Sequence, residues 1–306
     1  MQNQPTTPMP SAPSTVQTKS TLKKYWWVFA IVGVLILIII ILAILQSQYV
    51  NTPLKTNTNP NPVSTPQDSD SEDTESTNTQ SSNVMWSFDG SKWKSSGSAP
   101  ACEEPVFTSP VDVSLVSNIL YPGQTRGGNY KPHGGFRFDG VNNDDISVTA
   151  PADSYAFRAS RYIEAGEVQY LIDFIVPCGY MYRLDHLLTL SPKFQEMANT
   201  LPEAKVDQSQ TTILTNTVSV EQGEEIATAV GFVNSSNVSF DWGVYDLREQ
   251  NEISTKDSTW ATQHANAKET AYFGVCWLDI LPAEESTVVK ALPGSGTEGT
   301  SSDYCD

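Results

Sequence analysis

Val238-Ser-Phe-Asp-Trp-Gly-Val-Tyr245 is one of several short runs of β-branched and aromatic residues that decide the fold of this chain. Similar runs occupy residues 146–150, 155–159, 169–176 and 211–220. Gly, Pro and Asn separate these runs, and such spacing is typical of antiparallel strands. Only residues 193–199 and 257–267 have a helical pattern. Residues 84–306 are therefore predicted to form an all-β domain built on an antiparallel sheet or sandwich.

The domain is predicted to begin near Val84. Trp86-Ser-Phe-Asp-Gly-Ser-Lys-Trp93 alternates apolar and polar residues around Asp89-Gly90, which indicates a β-hairpin. Before it, residues 46–83 consist mainly of Asn, Thr, Pro and Ser with a cluster of acids, a composition that predicts a disordered, solvated stalk. Residues 1–22 contain too few large apolar side chains to fold, so we expect a disordered tail.

Residues 23–45 are predicted to form one transmembrane helix. Lys23 and Lys24 precede about 21 uncharged, mostly apolar residues, and at a rise of about 1.5 Å per residue this length crosses a bilayer. A cleaved signal peptide is the alternative, but Ile44-Leu45-Gln46 offers no small-x-small cleavage site. Because lysines flank only the N-terminal side, the tail is expected in the cytoplasm and residues 84–306 outside the cell membrane.

Charge argues against two classes of partner. The chain has a formal net charge of −17, although its first 45 residues carry three lysines and no acid. An acidic domain repels the phosphates of nucleic acids. The sequence also contains no glycine-rich phosphate loop, so neither a nucleic acid nor a nucleotide is expected as a partner.

The four cysteines all follow the apolar segment, and no two of them form a Cys-x-x-Cys pair. An even number in an oxidising compartment predicts two disulfides, with three alternative connectivities. We favour Cys276 with Cys305, which would fix the C-terminal tail, and Cys102 with Cys178. Four buried free thiols are the alternative.

Two of the three histidines lie in motif-like segments. His133 begins His-Gly-Gly-Phe-Arg-Phe-Asp139, and His186 lies in Tyr182-Arg-Leu-Asp-His-Leu187, whereas His264 has polar neighbours and is expected at the surface. Three further segments follow the same order along the chain: Val148-Thr-Ala-Pro-Ala-Asp-Ser-Tyr155, residues 218–231, and Val238-Ser-Phe-Asp-Trp-Gly-Val-Tyr245. Together, over about residues 120–250, they resemble the lysostaphin/LytM-type zinc endopeptidases, which cut peptide cross-links in bacterial cell walls.

This resemblance implies a zinc site but with altered ligands. The family takes one ligand from the position of His133, one from the position of Arg137, and one from the position of Asp241. Arginine would oppose zinc, so Asp139 is the replacement, provided that Gly134-Gly135 turns the chain. The resemblance thus implies zinc held by His133, Asp139 and Asp241, with His186 as general acid/base.

Several alternatives remain open at this stage. Arg137, Asp139 and Asp241 would form an ion-pair network in a vestigial groove if no metal binds, with both histidines hydrogen-bonded inside it. A glycine-rich loop carrying Arg126 would lie beside His133.

Three functions follow from these alternatives. The first is a membrane-anchored, non-catalytic cell-envelope protein that binds cell-wall peptide or an envelope partner. The second is an active metallo-endopeptidase acting on peptidoglycan cross-links, and the third is a structural or adhesive surface domain.

Overall fold

The structure is a computed structural model that describes residues 84–306. The predicted cytoplasmic tail, transmembrane helix and stalk, at residues 1–22, 23–45 and 46–83, lie outside the described residues. From Val84 to Asp306 no helix has both the length and the apolar character needed to cross a membrane.

The described domain is mostly antiparallel β-sheet, so the all-β prediction is confirmed. The strands are β1 Trp86–Phe88, β2 Trp93–Ser95, β3 Asn118–Leu120, β4 Gln124–Arg126, β5 Asn129–Lys131, β6 Gly134–Phe138, β7 Val148–Thr149, β8 Ser154–Glu164, β9 Glu167–Val176, β10 Tyr180–Leu190, β11 Thr212–Val220, β12 Glu225–Val230 and β13 Val238–Asp246. The helices are α1 Pro192–Ala198, α2 Glu252–Lys256, α3 Ser258–Gln263, α4 Lys268–Ala271 and α5 Ala283–Ala291. Nine strands form one sheet in the order β11-β8-β9-β10-β13-β6-β3, with β12 paired to β10 and β7.

Strand β13 shows how the sequence builds two layers. Its residues alternate between the two faces of the sheet, as in any extended strand. Val238, Phe240, Trp242 and Val244 pack into the larger core, together with α1 and the segment around Trp277. The other face of β13 carries Ser239, Asp241, Gly243 and Tyr245, and only Tyr245 of these belongs to the second hydrophobic cluster. One face of the sheet is therefore apolar along its length, and the other changes from apolar to polar.

The second hydrophobic cluster covers the apolar end of that mixed face. The predicted hairpin is present as β1 and β2, with Phe88 opposite Trp93. Trp86 and Trp93 of the hairpin join Trp260, Tyr272 and other residues of the C-terminal region in covering the sheet. The polar end, which holds Asp241, is not part of this hydrophobic cluster.

Two disulfides staple the domain, in the predicted pairing. Cys102 bonds to Cys178, and Cys276 bonds to Cys305. No cysteine of the chain remains free, since all four lie within the described residues. The free-thiol alternative is therefore wrong.

The remaining local predictions hold in part. The helix expected at residues 193–199 is α1, but the one expected at 257–267 is the short helix α3 followed by a 3₁₀ turn at Ala265–Ala267. The run at residues 146–150 contributes only β7 to the sheet. Helices α2, α4 and α5 were not predicted, because they are short and mostly polar.

Candidate functional site

Three of the four predicted site residues meet at the polar end of the sheet. The Nε2 atom of His133 lies 2.9 Å from Oδ2 of Asp241, and Nε2 of His186 lies 3.7 Å from the same oxygen. Their side chains are only 9% (His133), 15% (His186) and 11% (Asp241) exposed. Residues from three separate parts of the chain thus converge on one carboxylate, and we call them the His–Asp–His cluster.

Glycines make this approach sterically feasible. In the sheet register Asp241 lies opposite Gly135 on β6. A Cβ atom at Gly135 would stand 2.3 Å from the carbonyl oxygen of Phe240 and 3.2 Å from Oδ1 of Asp241. On the next position of the same face, a Cβ at Gly243 would stand 2.8 Å from Cβ of His133. The missing side chains therefore create the space in which the cluster forms.

An irregularity in β10 directs His186 into the cluster. The pairing of β10 with β9 shifts register between Leu184 and Leu187, and His186 between them has a φ of 63°. Such left-handed backbone is uncommon for a residue other than glycine. The N–H of His186 donates to Oδ1 of Asp185 at 2.8 Å, and its carbonyl accepts from the N–H of Gly231 at 2.8 Å. These bonds hold the strand in this unusual conformation.

A buried amide fixes the tautomer of His186. Oε1 of Gln169 lies 2.7 Å from Nδ1 of His186, while Nε2 of Gln169 donates to the carbonyl of Gly231 at 3.0 Å. The amide oxygen can only accept, so Nδ1 of His186 must carry the proton in this arrangement. In the neutral ring Nε2 then presents a lone pair toward Asp241.

Tyr162 completes the support behind His186. Its hydroxyl donates to Oδ1 of Asp185 at 2.6 Å and lies 3.3 Å from Nδ1 of His186. Burial raises the pKa of Tyr162 far above its usual range, and the charge of Asp185 raises it further, so the phenol keeps its proton. Tyr162 is therefore a permanent donor that orients Asp185 beneath the histidine.

His133 is the unsatisfied member of the cluster. Neither of its ring nitrogens makes a hydrogen bond, although Nε2 is 2.9 Å from Asp241, so the carboxylate lies off the direction in which a ring N–H would point. Burial lowers the pKa of His133, and the charge of Asp241 offsets this only in part. The ring is therefore neutral at neutral pH, with buried polar atoms that lack partners.

Asp241 is the anion of the cluster. Burial alone would raise its pKa, but the neighbouring His133, His186 and Arg126 outweigh burial and hold the pKa well below its usual range. Because we assign the neutral form to buried His133, we regard Arg126 as the permanent positive charge that favours ionised Asp241.

Arg126 reaches the cluster from the glycine-rich loop that the sequence indicated beside His133. This loop is the two-stranded ribbon of β4 and β5. The guanidinium of Arg126 donates to the carbonyl of His133 at 3.1 Å and to the carbonyl of Tyr121 at 2.8 Å. Burial lowers the pKa of Arg126, and the carboxylates of Asp241 and Glu298 counteract this effect. Arg126 thus fixes the backbone from which the imidazole of His133 projects.

The structure does not bring Asp139 to this site. Its carboxylate accepts from Nδ2 of Asn118 at 2.9 Å and from Nε of Arg137 at 3.2 Å, on an exposed surface. Gly134 and Gly135 belong to the extended strand β6, so the turn that Asp139 would need is absent. Of the expected ion-pair network of Arg137, Asp139 and Asp241, only the exposed pair Arg137–Asp139 is present among the described residues. Asp241 contacts the two histidines instead.

The zinc ligand set implied by the resemblance is therefore not assembled. Of its three members, His133 and Asp241 adjoin each other and Asp139 does not. Within residues 84–306, no group of three or more His, Cys, Asp or Glu side chains is arranged to hold a metal ion. The predicted set does not fit zinc, and we derive no reaction step through a metal.

A cavity of about 890 Å³ is lined by residues that neighbour His186 along the chain, but none of the three cluster residues lines it. Leu188 and Thr189, which follow His186 on β10, contribute to its lining. Val233 also lines it, and the ring of the preceding Phe232 lies 4.6 Å from the ring of His186. The remaining lining includes amide and carboxylate side chains, among them Asn143, Asp144, Glu167 and Asn234.

Sequence reasoning missed Tyr162, Gln169 and Asp185. Asp185 directly precedes His186 in the quoted motif, and Gln169 is an uncharged polar residue within the otherwise mostly apolar strand β9, where it is fully buried. A buried amide in such a run is a usable signal, since it needs a polar partner. Tyr162 carried no signal of its own, because its role depends on the register that places it opposite Gln169.

No known protein family matches the chain, and no curated protein sequence is significantly similar to it. The resemblance to lysostaphin-type peptidases remains a prediction that rests on the quoted segments.

Proposed function

We propose that residues 84–306 form a non-catalytic, peptidase-like domain that binds cell-wall peptide or an envelope protein at the His–Asp–His cluster. In this proposal the predicted helix at residues 23–45 anchors the protein, and the domain faces the cell envelope. The observation that carries the proposal is the convergence of His133, His186 and Asp241 at the polar end of a sheet, without the third zinc ligand. The zinc ligand set that the resemblance implies is incomplete, and His133, His186 and Asp241 lie together as polar groups, which supports binding without catalysis.

The chemistry of the cluster favours a ligand that donates hydrogen bonds. Asp241 offers carboxylate oxygens, and the neutral ring of His133 has one nitrogen that accepts and no hydrogen-bond partner for it. Peptide N–H groups and free amines are donors of this kind. Buried acceptors without partners are costly, so a ligand that satisfies them gains affinity and specificity.

Equilibrium binding tests this proposal. The full-length chain, purified in mild detergent because of its predicted anchor, is titrated with purified peptidoglycan fragments at low salt. Asp241→Asn and His133→Ala are each expected to weaken binding by about tenfold or more, because each removes a buried polar partner of the ligand. Asp139→Asn is the matched control, since it makes the same chemical change outside the cluster and should leave affinity unchanged.

Two results would overturn the proposal. One is the absence of any affinity for the fragments at low salt. The other is equal weakening by Asp241→Asn and by Asp139→Asn, which would assign the interaction to surface charge.

The second candidate is an active metallo-endopeptidase with a rearranged site. It is favoured by the two unpartnered nitrogens of His133, because imidazole nitrogens and carboxylate oxygens are donors that zinc accepts. His186 would have to move closer to Asp241 to complete such a set. Metal analysis of the purified protein decides the matter: stoichiometric zinc that is lost in His133→Ala supports the enzyme, and a metal-free wild-type protein excludes it.

A further inference from the structure

The C-terminal tail, residues 298–305, is bonded along its length to the ribbon that carries Arg126. Nε2 of Gln124 donates to the carbonyls of Gly299 and Ser301, at 3.1 and 2.6 Å. The N–H of Asp303 donates to the carbonyl of Gly123 at 3.0 Å. The ribbon thus relies on the tail for partners, because β4 and β5 pair only with each other as strands.

Side chains extend this contact. The hydroxyl of Ser302 donates to the carbonyl of Pro122 at 2.6 Å. The ring of Tyr304 meets that of Tyr130, on β5, edge to face with 6.5 Å between centroids. A Cβ at Gly123 would stand 3.1 Å from the backbone nitrogen of Asp303, so the two segments lie close together.

A covalent bond anchors the end of the tail. Cys305 is joined to Cys276, which immediately precedes Trp277. The Trp277 ring lies 4.9 Å from Phe136 and 4.7 Å from Trp242, in the core directly behind β6 and β13. The tail is therefore fastened to the layer that supports the His–Asp–His cluster.

We infer that the disulfide-anchored tail is a clamp that positions the Arg126 ribbon at the ligand site. Arg126 bonds to the backbone of His133, and its charge favours ionised Asp241. A ribbon of two three-residue strands has little stability of its own. Without the anchor the ribbon loosens, Arg126 leaves its carbonyl partners, and His133 and Asp241 lose their fixed arrangement. Arg126 is thus a positioning residue for ligand binding, a role that rests on the proposed function.

The two disulfides supply a matched experiment. The full-length Cys276→Ser/Cys305→Ser double variant is compared with Cys102→Ser/Cys178→Ser, which removes a bond elsewhere in the domain. Amide hydrogen exchange of residues 124–131 is measured below the unfolding temperature of both variants. Loss of the Cys276–Cys305 bond is expected to speed this exchange by about tenfold or more, and loss of the other bond is expected to leave it near wild type.

Ligand binding is measured on the same variants with purified peptidoglycan fragments. Affinity is expected to fall about threefold or more when the Cys276–Cys305 bond is absent, and to stay unchanged when the other bond is absent. Gln124→Met serves as a second variant if the cysteine variant does not fold, because it removes two hydrogen bonds to the tail and keeps the disulfide. It should also speed exchange in residues 124–131.

Exchange and affinity separate the possible failures. Unchanged exchange in residues 124–131 overturns the clamp, whatever the binding result. Faster exchange with unchanged affinity overturns the positioning role of Arg126. If the wild-type protein binds no fragment, the proposed function fails, and the exchange data still decide whether the tail holds the ribbon.

Discussion

Two charged clusters lie on the same face of the sheet, and they differ in how completely their atoms are paired. Arg183 lies opposite Asp173 on β9, and two residues later Asp185 lies opposite Asp241 on β13. Fully buried Asp173 accepts from Nε of Arg158 at 2.6 Å and from Nε and Nη2 of Arg183 at 2.8 and 2.9 Å. The neighbouring His–Asp–His cluster leaves both ring nitrogens of His133 without a hydrogen bond.

The difference agrees with a structural role for the arginine cluster and with the ligand-binding role that we propose for the His–Asp–His cluster. Burial alone would raise the pKa of Asp173, but Arg183 and Arg158 outweigh it and lower the pKa to about 2. The arginine cluster is thus complete within the protein. The His–Asp–His cluster is also buried, but the ring of His133 lacks hydrogen-bond partners there, which is the property that our proposed function uses.

The largest expected effect compares the two carboxylates directly. Asp173→Asn should lower the free energy of unfolding by about 3–5 kcal/mol, because it leaves buried Arg183 without its counter-charge and Arg158 with Glu269 alone. Asp241→Asn should lower it by less, about 1–3 kcal/mol, because the lowered pKa of Asp241 shows that its charge favours the fold, but its histidine neighbour His133 is neutral and leaves no unpaired charge behind. Denaturant titration of both variants measures this contrast. Equal losses would mean that the two clusters serve the same structural purpose.

The pH dependence of stability should show two windows, one from a histidine and one from buried carboxylates. The pKa of His133 in the folded protein lies below that of the unfolded chain, near 6.5, so the stability that neutral His133 preserves is present above that pH and lost as pH falls below it. The pKa of Asp173 is also lowered, so its contribution is present above about pH 4 and lost as pH falls toward 2. Denaturation series across pH 7–2 measure both losses.

Substitutions assign each window to its residue. His133→Gln should flatten the upper window, and Asp173→Asn and Asp241→Asn should each reduce the lower one, because the pKa of both carboxyls is lowered. His264→Gln is the control for the upper window, because burial lowers the pKa of His264 as well, outside the cluster. The assignment to His133 is wrong if His264→Gln abolishes the upper window and His133→Gln does not.

The smallest effect is expected at the exposed pair Arg137–Asp139. Its side chains are 44% and 57% exposed, and exposed ion pairs contribute about 0–1 kcal/mol. The double variant Arg137→Ala/Asp139→Ala should therefore keep near-wild-type stability in denaturant titration. It should also keep its affinity for peptidoglycan fragments. Loss of binding in this variant would mean that Arg137 or Asp139 contributes to the ligand site after all.

Sequence patterns predicted most of the sheet, because strands such as β9 and β13 are rich in β-branched and aromatic residues. Rare histidines in motif-like segments pointed to His133 and His186, and the family resemblance pointed to Asp241. The prediction for Asp139 was wrong for a physical reason. Strand β6 stays extended through Gly134-Gly135, so Gly135 lies opposite Asp241 and Arg137 lies opposite Ser239. Asp139 follows the end of this strand and is therefore far along it from Asp241. Glycine permits a turn but does not require one.

The supporting residues were beyond such patterns. Tyr162 and Gln169 reach His186 only through the pairing of β8 with β9 and the register shift in β10. The left-handed backbone of His186 also has no local signal, since no glycine or asparagine marks it. These features depend on contacts between residues that are distant in the sequence, and local sequence patterns do not predict such contacts.

The backbone of His186 has a consequence for how this domain tolerates change. A residue with a Cβ in this conformation costs roughly 1–2 kcal/mol that glycine would avoid. Glycine at position 186 would avoid that cost, but it would also leave the buried Oε1 of Gln169 without the ring N–H that His186 supplies. The two effects are of similar size, so in a library of variants sorted only for abundance, His186→Gly should show no advantage over histidine. Enrichment of glycine in that library would mean that the bond to Gln169 contributes little to folding.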